Sequence, residues 1–358
     1  EKTAIVTFYG DSNYNKLTLD DIEFTVSKVT PVIESSIDDT TYPRDVIAVI
    51  TVGNNANGIV NITVKGTKFV KTFNETVSNG VANVHLDGLA AGYYDALIEF
   101  FSSDDYNGNA TLNDKFIVYP NNSLVEIFDC SDVYKVDEEV TFSIKTTNST
   151  GDIAVYVNGV QVDTSGCYDY VKKCYDVDLG HKAEGTYTIT VNLDKDENYT
   201  GTTTSKTIKV VKKDLTISVN ETTVPSTIVV GSSVNITANL NETVTGKVIF
   251  NINGINYTAY VNNANFATYN YTPVNNATLN VVATFAGNEM YNSKVSNQKQ
   301  FTVNRVVSSV DLSDVTIEVG QTAKITSTVT DGATGVVNVT VNGETQSVGI
   351  VDSKATAY

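Results

Sequence analysis

Asp194, Asp196 and Asn198 place three oxygen-bearing side chains at alternate positions, which is how a calcium-binding loop begins. The match fails at the sixth position, where Tyr199 replaces the glycine such a loop needs, and at the twelfth, where Ser205 replaces the bidentate glutamate. Asp104 and Asp105 form a related acidic turn, as does Asp11. Weak calcium binding between domains competes here with solvated turn residues, which the same side chains favour.

Cys130, Cys167 and Cys174 are the only cysteines. Cys167 and Cys174 flank a six-residue segment and are candidates for one local disulfide, although Cys130 pairs with either equally well on sequence alone. His85 and His181 are the only histidines, and no Cys, Asp or Glu stands near them at zinc-like spacing. With no glycine-rich phosphate loop either, the chain offers no catalytic set, no cofactor site and no metal centre, and it reads as a non-enzyme. Tyr168, Tyr170 and Tyr175 form the densest aromatic cluster and are the candidate ligand-binding residues, since sugars stack on exposed aromatic faces. The competing reading is ordinary strand and turn filler. Among thirteen Asn-X-Ser/Thr sequons, Asn61, Asn235 and Asn338 fall on the outward phase of alternating segments, where a glycan meets solvent.

These residues sit in a chain of 358 residues with a formal net charge of -17, few charged side chains and much Thr, Ser, Asn and Tyr. The acidity argues against nucleic-acid or anionic-membrane partners, which require a basic footprint. No apolar run is long enough for a membrane-spanning helix, and no signal-peptide pattern opens the sequence. Any signal, anchor or binding head is expected outside these residues.

The elements that position the candidates follow from an internal repeat. Asp11-Ser-Asn-Tyr14, Asp104-Asp-Tyr106, Asp196-Glu-Asn-Tyr199 and Asn288-Glu-Met-Tyr291 recur with their tyrosines 92, 93 and 92 residues apart. The segments that follow, opening at Phe24, Phe116, Ile208 and Phe301, keep spacings of 92, 92 and 93. Within each repeat apolar residues alternate, as in Val140-Thr-Phe-Ser-Ile144 and Val248-Ile-Phe-Asn-Ile252, which specifies strands buried on one face. Asn158-Gly159, Asn253-Gly254 and Asn342-Gly343 then mark type I′ hairpins, and Lys65-Gly66 holds the same place more weakly.

Each repeat predicts about seven short strands in two packed sheets. Tyr94 and Tyr187, two residues after Gly92 and Gly185, are placed to form a tyrosine corner, which Leu279 lacks. The fold expected is all-β: tandem immunoglobulin-like β-sandwiches in an elongated rod, because one or two residues between strands leave no flexible tether. The expected divisions are a truncated repeat at 1–28, complete repeats at 29–119, 120–212 and 213–305, and a second truncated repeat at 306–358. The partial repeats leave strand edges unpaired and are expected to self-associate.

The strand from Val6, the Gly-Asp-Ser-Asn-Tyr turn and the closing Phe24-Thr-Val26 resemble bacterial-type Ig-like repeats of prokaryotic surface proteins, and are similar to adhesin-like proteins of methanogenic archaea. The resemblance implies an extracellular, cell-surface location and a non-enzymatic role as stalk or spacer in adhesion. Its partners would be a surface glycan or protein and the neighbouring repeats of the same chain. The alternatives are a glycan- or protein-binding module, or a non-catalytic appendage of a secreted carbohydrate-active enzyme.

Overall fold

A computed structural model describes residues 1–220 and 225–358. Among them the chain is all-β and contains no helix. It divides into two compact units, Glu1–Val211 and Lys212–Tyr358.

The first unit opens with an antiparallel hairpin, Lys2–Phe8 against Leu17–Phe24. A complete immunoglobulin-like sandwich follows. One sheet runs in the order Ile33–Ile37, Val46–Val52, Val81–Leu86, and the facing sheet in the order Thr40–Thr41, Ala110–Tyr119, Gly92–Ser102, Gly58–Lys65, Val70–Val77. Every second residue of Val46–Val52 is buried while the others face solvent, so the alternation in the sequence becomes a core. That core gathers Ile50, Ile62, Ile98 and Phe100 among others.

A second sandwich in the same unit pairs Leu124–Phe128, Glu139–Thr147, Cys174–His181 and Tyr168–Asp169 in one sheet. Val133–Lys135, Thr202–Val211, Gly185–Leu193, Ile153–Val157 and Val160–Val162 form the other. Its core is built on Phe142, Ile144, Val155, Ile189 and Ile208.

The second unit repeats the plan. Ile217–Val219, Val234–Leu240 and Phe266–Tyr271 face a sheet ordered Thr227–Val229, Lys299–Asn304, Ala277–Phe285, Lys247–Ile252, Ile255–Tyr260. Phe250, Phe285 and Phe301 fill the space between them. Residues beyond 305 form a three-stranded sheet, Val310–Leu312, Ile325–Val329 and Lys354–Ala357, and a hairpin, Val336–Val341 with Glu344–Gly349.

The first sandwich has eight strands, one more than the seven expected, because its opening segment splits. A short piece pairs with one sheet, and the chain then crosses to lie parallel to the last strand of the other: Thr40–Thr41, Val133–Lys135 and Thr227–Val229 all do this. Two or three residues are too few to show an alternating pattern.

The three Asn-Gly turns form as expected. Asn158, Asn253 and Asn342 have φ of 50°, 45° and 49°, and each following glycine is also positive. Asparagine does more here than tolerate the backbone. In unit two the Asn253 N–H donates to the Asn280 carbonyl at 3.0 Å, its Oδ1 accepts from the Asn280 N–H at 2.7 Å and its Nδ2 donates to the Thr278 carbonyl at 3.3 Å. Asn158 repeats this with Thr188 and Thr186, so the side-chain amide extends the ladder past the end of the strand. Asn253→Gly should keep the turn but lose both side-chain bonds, lowering stability in urea by about 1–2 kcal/mol, and Asn253→Ala should lose about 1 kcal/mol more through left-handed strain.

Lys65-Gly66 departs from this pattern. Lys65 pairs with Val70 across a four-residue loop, and Gly66 is needed because a Cβ there would lie 2.7 Å from the Tyr94 ring.

The corner tyrosines form. Tyr94 Oη donates to the Ala90 carbonyl at 2.8 Å and Tyr187 Oη to that of Ala183 at 3.0 Å.

Candidate ligand patch and the repeated turn clamp

The three candidate tyrosines come together. Tyr168 lies opposite Tyr175 across the pair formed by Tyr168–Asp169 and Cys174–His181. The Tyr168 ring meets Tyr170 and Tyr175 edge-on, with both pairs of centroids 4.9 Å apart. Tyr175 packs on the core of its sandwich, and burial pushes its phenol above the ordinary range, with Tyr168 adding to the effect. Tyr170 is 84 % exposed and Val171 91 %, so the cluster grades from core to solvent.

The turn that carries these side chains is fixed by charge. Asp169 Oδ1 accepts from the Val171 and Lys172 N–H groups at 2.8 and 3.0 Å, and Lys173 takes a positive φ of 57°. Lys172 Nζ lies 2.7 Å from Asp176 Oδ2, and Ser143 Oγ donates to Asp176 Oδ1 at 2.6 Å. Lys172 first, then Ser143, hold the Asp176 carboxyl down at about 2. The result is a partly apolar projection, exposed at Tyr170 and Val171, with a flanking ion pair.

A second aromatic cluster escaped the sequence reading. Tyr257 on Ile255–Tyr260 lies 4.7 Å from Tyr269 and 5.7 Å from Tyr271, both on Phe266–Tyr271 in the facing sheet. Its rings are half-buried against the core and close the space between edge strands. The signal was Tyr-x-Tyr at 269 and 271, the inward phase of a strand.

The acidic turns have a structural role. Oδ1 of Asp11, Asp104, Asp196 and Asn288 each accepts from the backbone N–H groups two and three residues on, at 2.5–3.0 Å. In the three complete sandwiches the other side-chain atom reaches a distant segment. Asp104 Oδ2 accepts from the Asn57 N–H at 3.3 Å, and Asp196 Oδ2 from the Thr150 N–H at 2.7 Å and its hydroxyl at 3.0 Å. In the third sandwich the partner is a carbonyl, that of Thr245, which needs a donor, and Asn288 Nδ2 supplies it at 2.9 Å. This accounts for asparagine there in place of aspartate.

The same turns hold the start of their own sandwiches. Val29, Asn121 and Lys213 each donate a backbone N–H to the turn, at 2.9 Å, and Val29 and Lys213 also accept one back. In the first unit Asn198 Oδ1 accepts from the Ala91 N–H of the preceding sandwich at 2.9 Å, and the Tyr42 and Tyr199 rings meet edge-on at 5.6 Å.

Of the calcium candidates, Asp104 and Asp196 thus act as turn clamps, while Asp105 and Asp194 are exposed. Among the described residues no group of three or more His, Cys, Asp or Glu side chains is placed to hold a metal ion. The Asp104 carboxyl is held at about 2, chiefly by the Asn107 N–H and then its side-chain amide, against an ordinary value of 3.8. Its stabilising effect is complete above pH ~4 and is lost as pH falls through ~2. Thermal melts of the first sandwich should therefore drop steeply between pH 4 and pH 2, and Asp104→Asn should lower the melting temperature at pH 7 while flattening that slope.

Cys130, Cys167 and Cys174 are separate thiols in this structure. The expected pairing of Cys167 with Cys174 is not formed. Cys174 stands opposite Asp169, and the Cys167 carbonyl accepts from the Asp176 N–H, which makes the two cysteines diagonal neighbours. Diagonal positions lie about 7–8 Å apart, beyond the usual Cα separation of a disulfide.

Asn235 and Asn338 are exposed, and each accepts a side-chain hydrogen bond across the sheet, from Asn270 Nδ2 and Ser347 Oγ. Asn61 is half-buried on the central strand Gly58–Lys65. His85 and His181 are exposed.

No protein-family model matches the chain, and no curated protein matches it. Solved structures to which the chain is similar include a bacterial ice-binding adhesin studied for host cell surface retention, at 15 % identity and TM-score 0.27 over 78 % of this chain and 100 % of that one. Fibronectin(III)-like modules of CbhA from Clostridium thermocellum match at 14 % identity and TM-score 0.23, over 50 % of this chain and 93 % of theirs. The ICAM-5 D1–D4 ectodomain fragment matches at 10 % identity and TM-score 0.32, over 89 % of this chain and 99 % of that one. The sandwich assignment rests on strand order and core, not on these superpositions. Among the described residues no helix is long and apolar enough to cross a membrane.

Proposed function

We propose that the chain is a non-enzymatic spacer of a cell-surface, adhesin-like protein, in which successive sandwiches, divided near residues 29, 120, 213 and 306, hold a binding element away from the cell. The observation that carries this reading is the clamp at the start of each sandwich. In the first unit a single residue, Pro120, separates the last strand of one sandwich from the clamped Asn121 of the next. A joint that short, backed by the Asn198 to Ala91 hydrogen bond, resists bending. Resemblance to bacterial-type Ig-like repeats and to adhesin-like proteins of methanogenic archaea adds extracellular display, and exposed sequons at Asn235 and Asn338 suit a glycosylated surface.

Small-angle scattering of the chain tests the spacer. At roughly 35–45 Å per sandwich along the strands, the maximum dimension should exceed about 120 Å. A compact particle well below that length rejects it.

The exposed Tyr170 favours a second reading, in which the patch captures a glycan by ring stacking. Titration with a panel of oligosaccharides should then show binding that Tyr170→Ala abolishes; binding that survives the substitution removes the patch from consideration.

A further inference from the structure

We infer that the joint between the first two sandwiches is a binding site for a neutral oligosaccharide, held in a cleft between Tyr93 and Tyr119 on one side and the turn that carries Lys195 and Glu197 on the other. This goes beyond the spacer reading, does not depend on it, and uses no residue of the Tyr170 patch.

The cleft lies within the first unit and measures about 380 Å3. Tyr93, Ile117 and Tyr119 supply one wall, and Lys195, Glu197 and Tyr199 the other. Tyr93 pairs with Ile117 across neighbouring strands, and Tyr119 follows two residues on, so all three project from the outward face of one sheet. Tyr93 is 76 % exposed and Tyr119 48 %. Asp39 fixes this wall: its Oδ1 accepts from the Ile117 N–H at 2.7 Å, and its Oδ2 from Tyr119 Oη at 3.3 Å.

The sandwich itself does not need these side chains. In the corresponding registers of the other two complete sandwiches Thr186 pairs with Lys209 and Thr278 with Thr302, while Val211 and Asn304 stand where Tyr119 does. The same ladder therefore closes around polar or smaller residues. Among the three complete sandwiches, the first alone carries two tyrosines and an isoleucine there, and it sets them against a neighbouring domain. A cleft between domains that combines aromatic faces with a few polar groups is the usual form of a small-ligand site.

Two features select the ligand. An extended peptide would add to an open strand edge, but the segment bearing Ile117 and Tyr119 is paired on both sides, with Gly92 and Tyr93 and with Thr40 and Thr41. Charge then favours a neutral molecule. Lys195 and Glu197 are exposed, neither joins an ion pair among the described residues, and their charges cancel within a chain of net charge -17 that repels anions. A pyranose meets these demands: its apolar face stacks on Tyr93, while its hydroxyls donate to the Glu197 carboxylate and accept from Lys195 Nζ. The walls stand ready before binding, because the Asn198 to Ala91 hydrogen bond and the edge-on contact of Tyr42 with Tyr199 hold the two sandwiches together.

Isothermal titration of the full chain with cellotetraose, chitotetraose and mannotetraose tests the site. At least one should bind at about 10 mM or below, and Tyr93→Ala should weaken that binding about tenfold. Glu197→Ala should weaken it as well, since the sugar spans both walls, and Tyr170→Ala should leave it unchanged. Tyr93 and Glu197 are exposed side chains, so both variants should keep the urea midpoint of the unmodified chain. Failure of all three sugars to bind, or binding that survives either Tyr93→Ala or Glu197→Ala, overturns the inference. Binding lost in Tyr170→Ala and retained in Tyr93→Ala also overturns it, and assigns the sugar to the other patch.

Discussion

Replacing Phe250 with alanine should unfold one sandwich and spare the others. Phe250 is fully buried at the centre of a core that draws all its members from residues 215–303, and the two cores of the first unit share none of them. Truncating a buried phenylalanine removes its transfer free energy and leaves a cavity, a loss of about 3–5 kcal/mol. For a single sandwich of ordinary marginal stability that is a large part of the total. Scanning calorimetry should show one transition displaced downward by more than about 10 °C, with the remaining heat absorbed where it was before. A uniform shift of the whole trace would mean that the cores melt as one.

The second large effect is expected at Gly58. A Cβ built there lies 2.2 Å from the Phe101 carbonyl oxygen and 2.7 Å from the buried Phe100 ring, and neither is the free end of a flexible side chain. Gly58 pairs with Ser102 at the end of the ladder, next to Asn57, whose N–H donates to Asp104 Oδ2. Gly58→Val should therefore force strand Gly58–Lys65 away from Gly92–Ser102, costing about 3 kcal/mol or more. Gly151 meets the Asp194 carbonyl in the corresponding place and Gly246 the Phe285 ring, so the same substitution should harm all three sandwiches. Gly159→Ala, with open space around its Cβ, should cost only the strain of its positive φ, about 1–2 kcal/mol. Urea denaturation of the three variants separates close approach from backbone strain.

Local features were legible in the sequence because they depend on neighbours in the chain. Alternating apolar residues gave the strands their buried faces, Asn-Gly fixed the two-residue turns, and a Tyr after Gly announced the corner at Tyr94 and Tyr187. The reach of Asp104 to Asn57 and of Asp196 to Thr150 was not legible, since each joins residues more than 40 positions apart. What the repeat displayed was an acidic turn, and its second hydrogen-bond partner was invisible, which is why calcium binding arose as an alternative.

The aromatic patch divides the same way. Tyr168, Tyr170 and Tyr175 are close in sequence and were found, whereas Tyr257 joins Tyr269 and Tyr271 only because two sheets pack face to face. The cysteine expectation failed on register. Loop length suggested a bridge, but strand pairing set Cys174 opposite Asp169.

Hydrogen exchange followed by mass spectrometry, comparing the Phe250→Ala chain with the unmodified one, tests the central claim most directly. Separate sandwiches predict faster exchange confined to strands between Ile217 and Asn304, with the strands around Ile98 and Ile189 keeping their protection. Loss of protection around Ile98 and Ile189 in step with that around Phe285 would contradict the account.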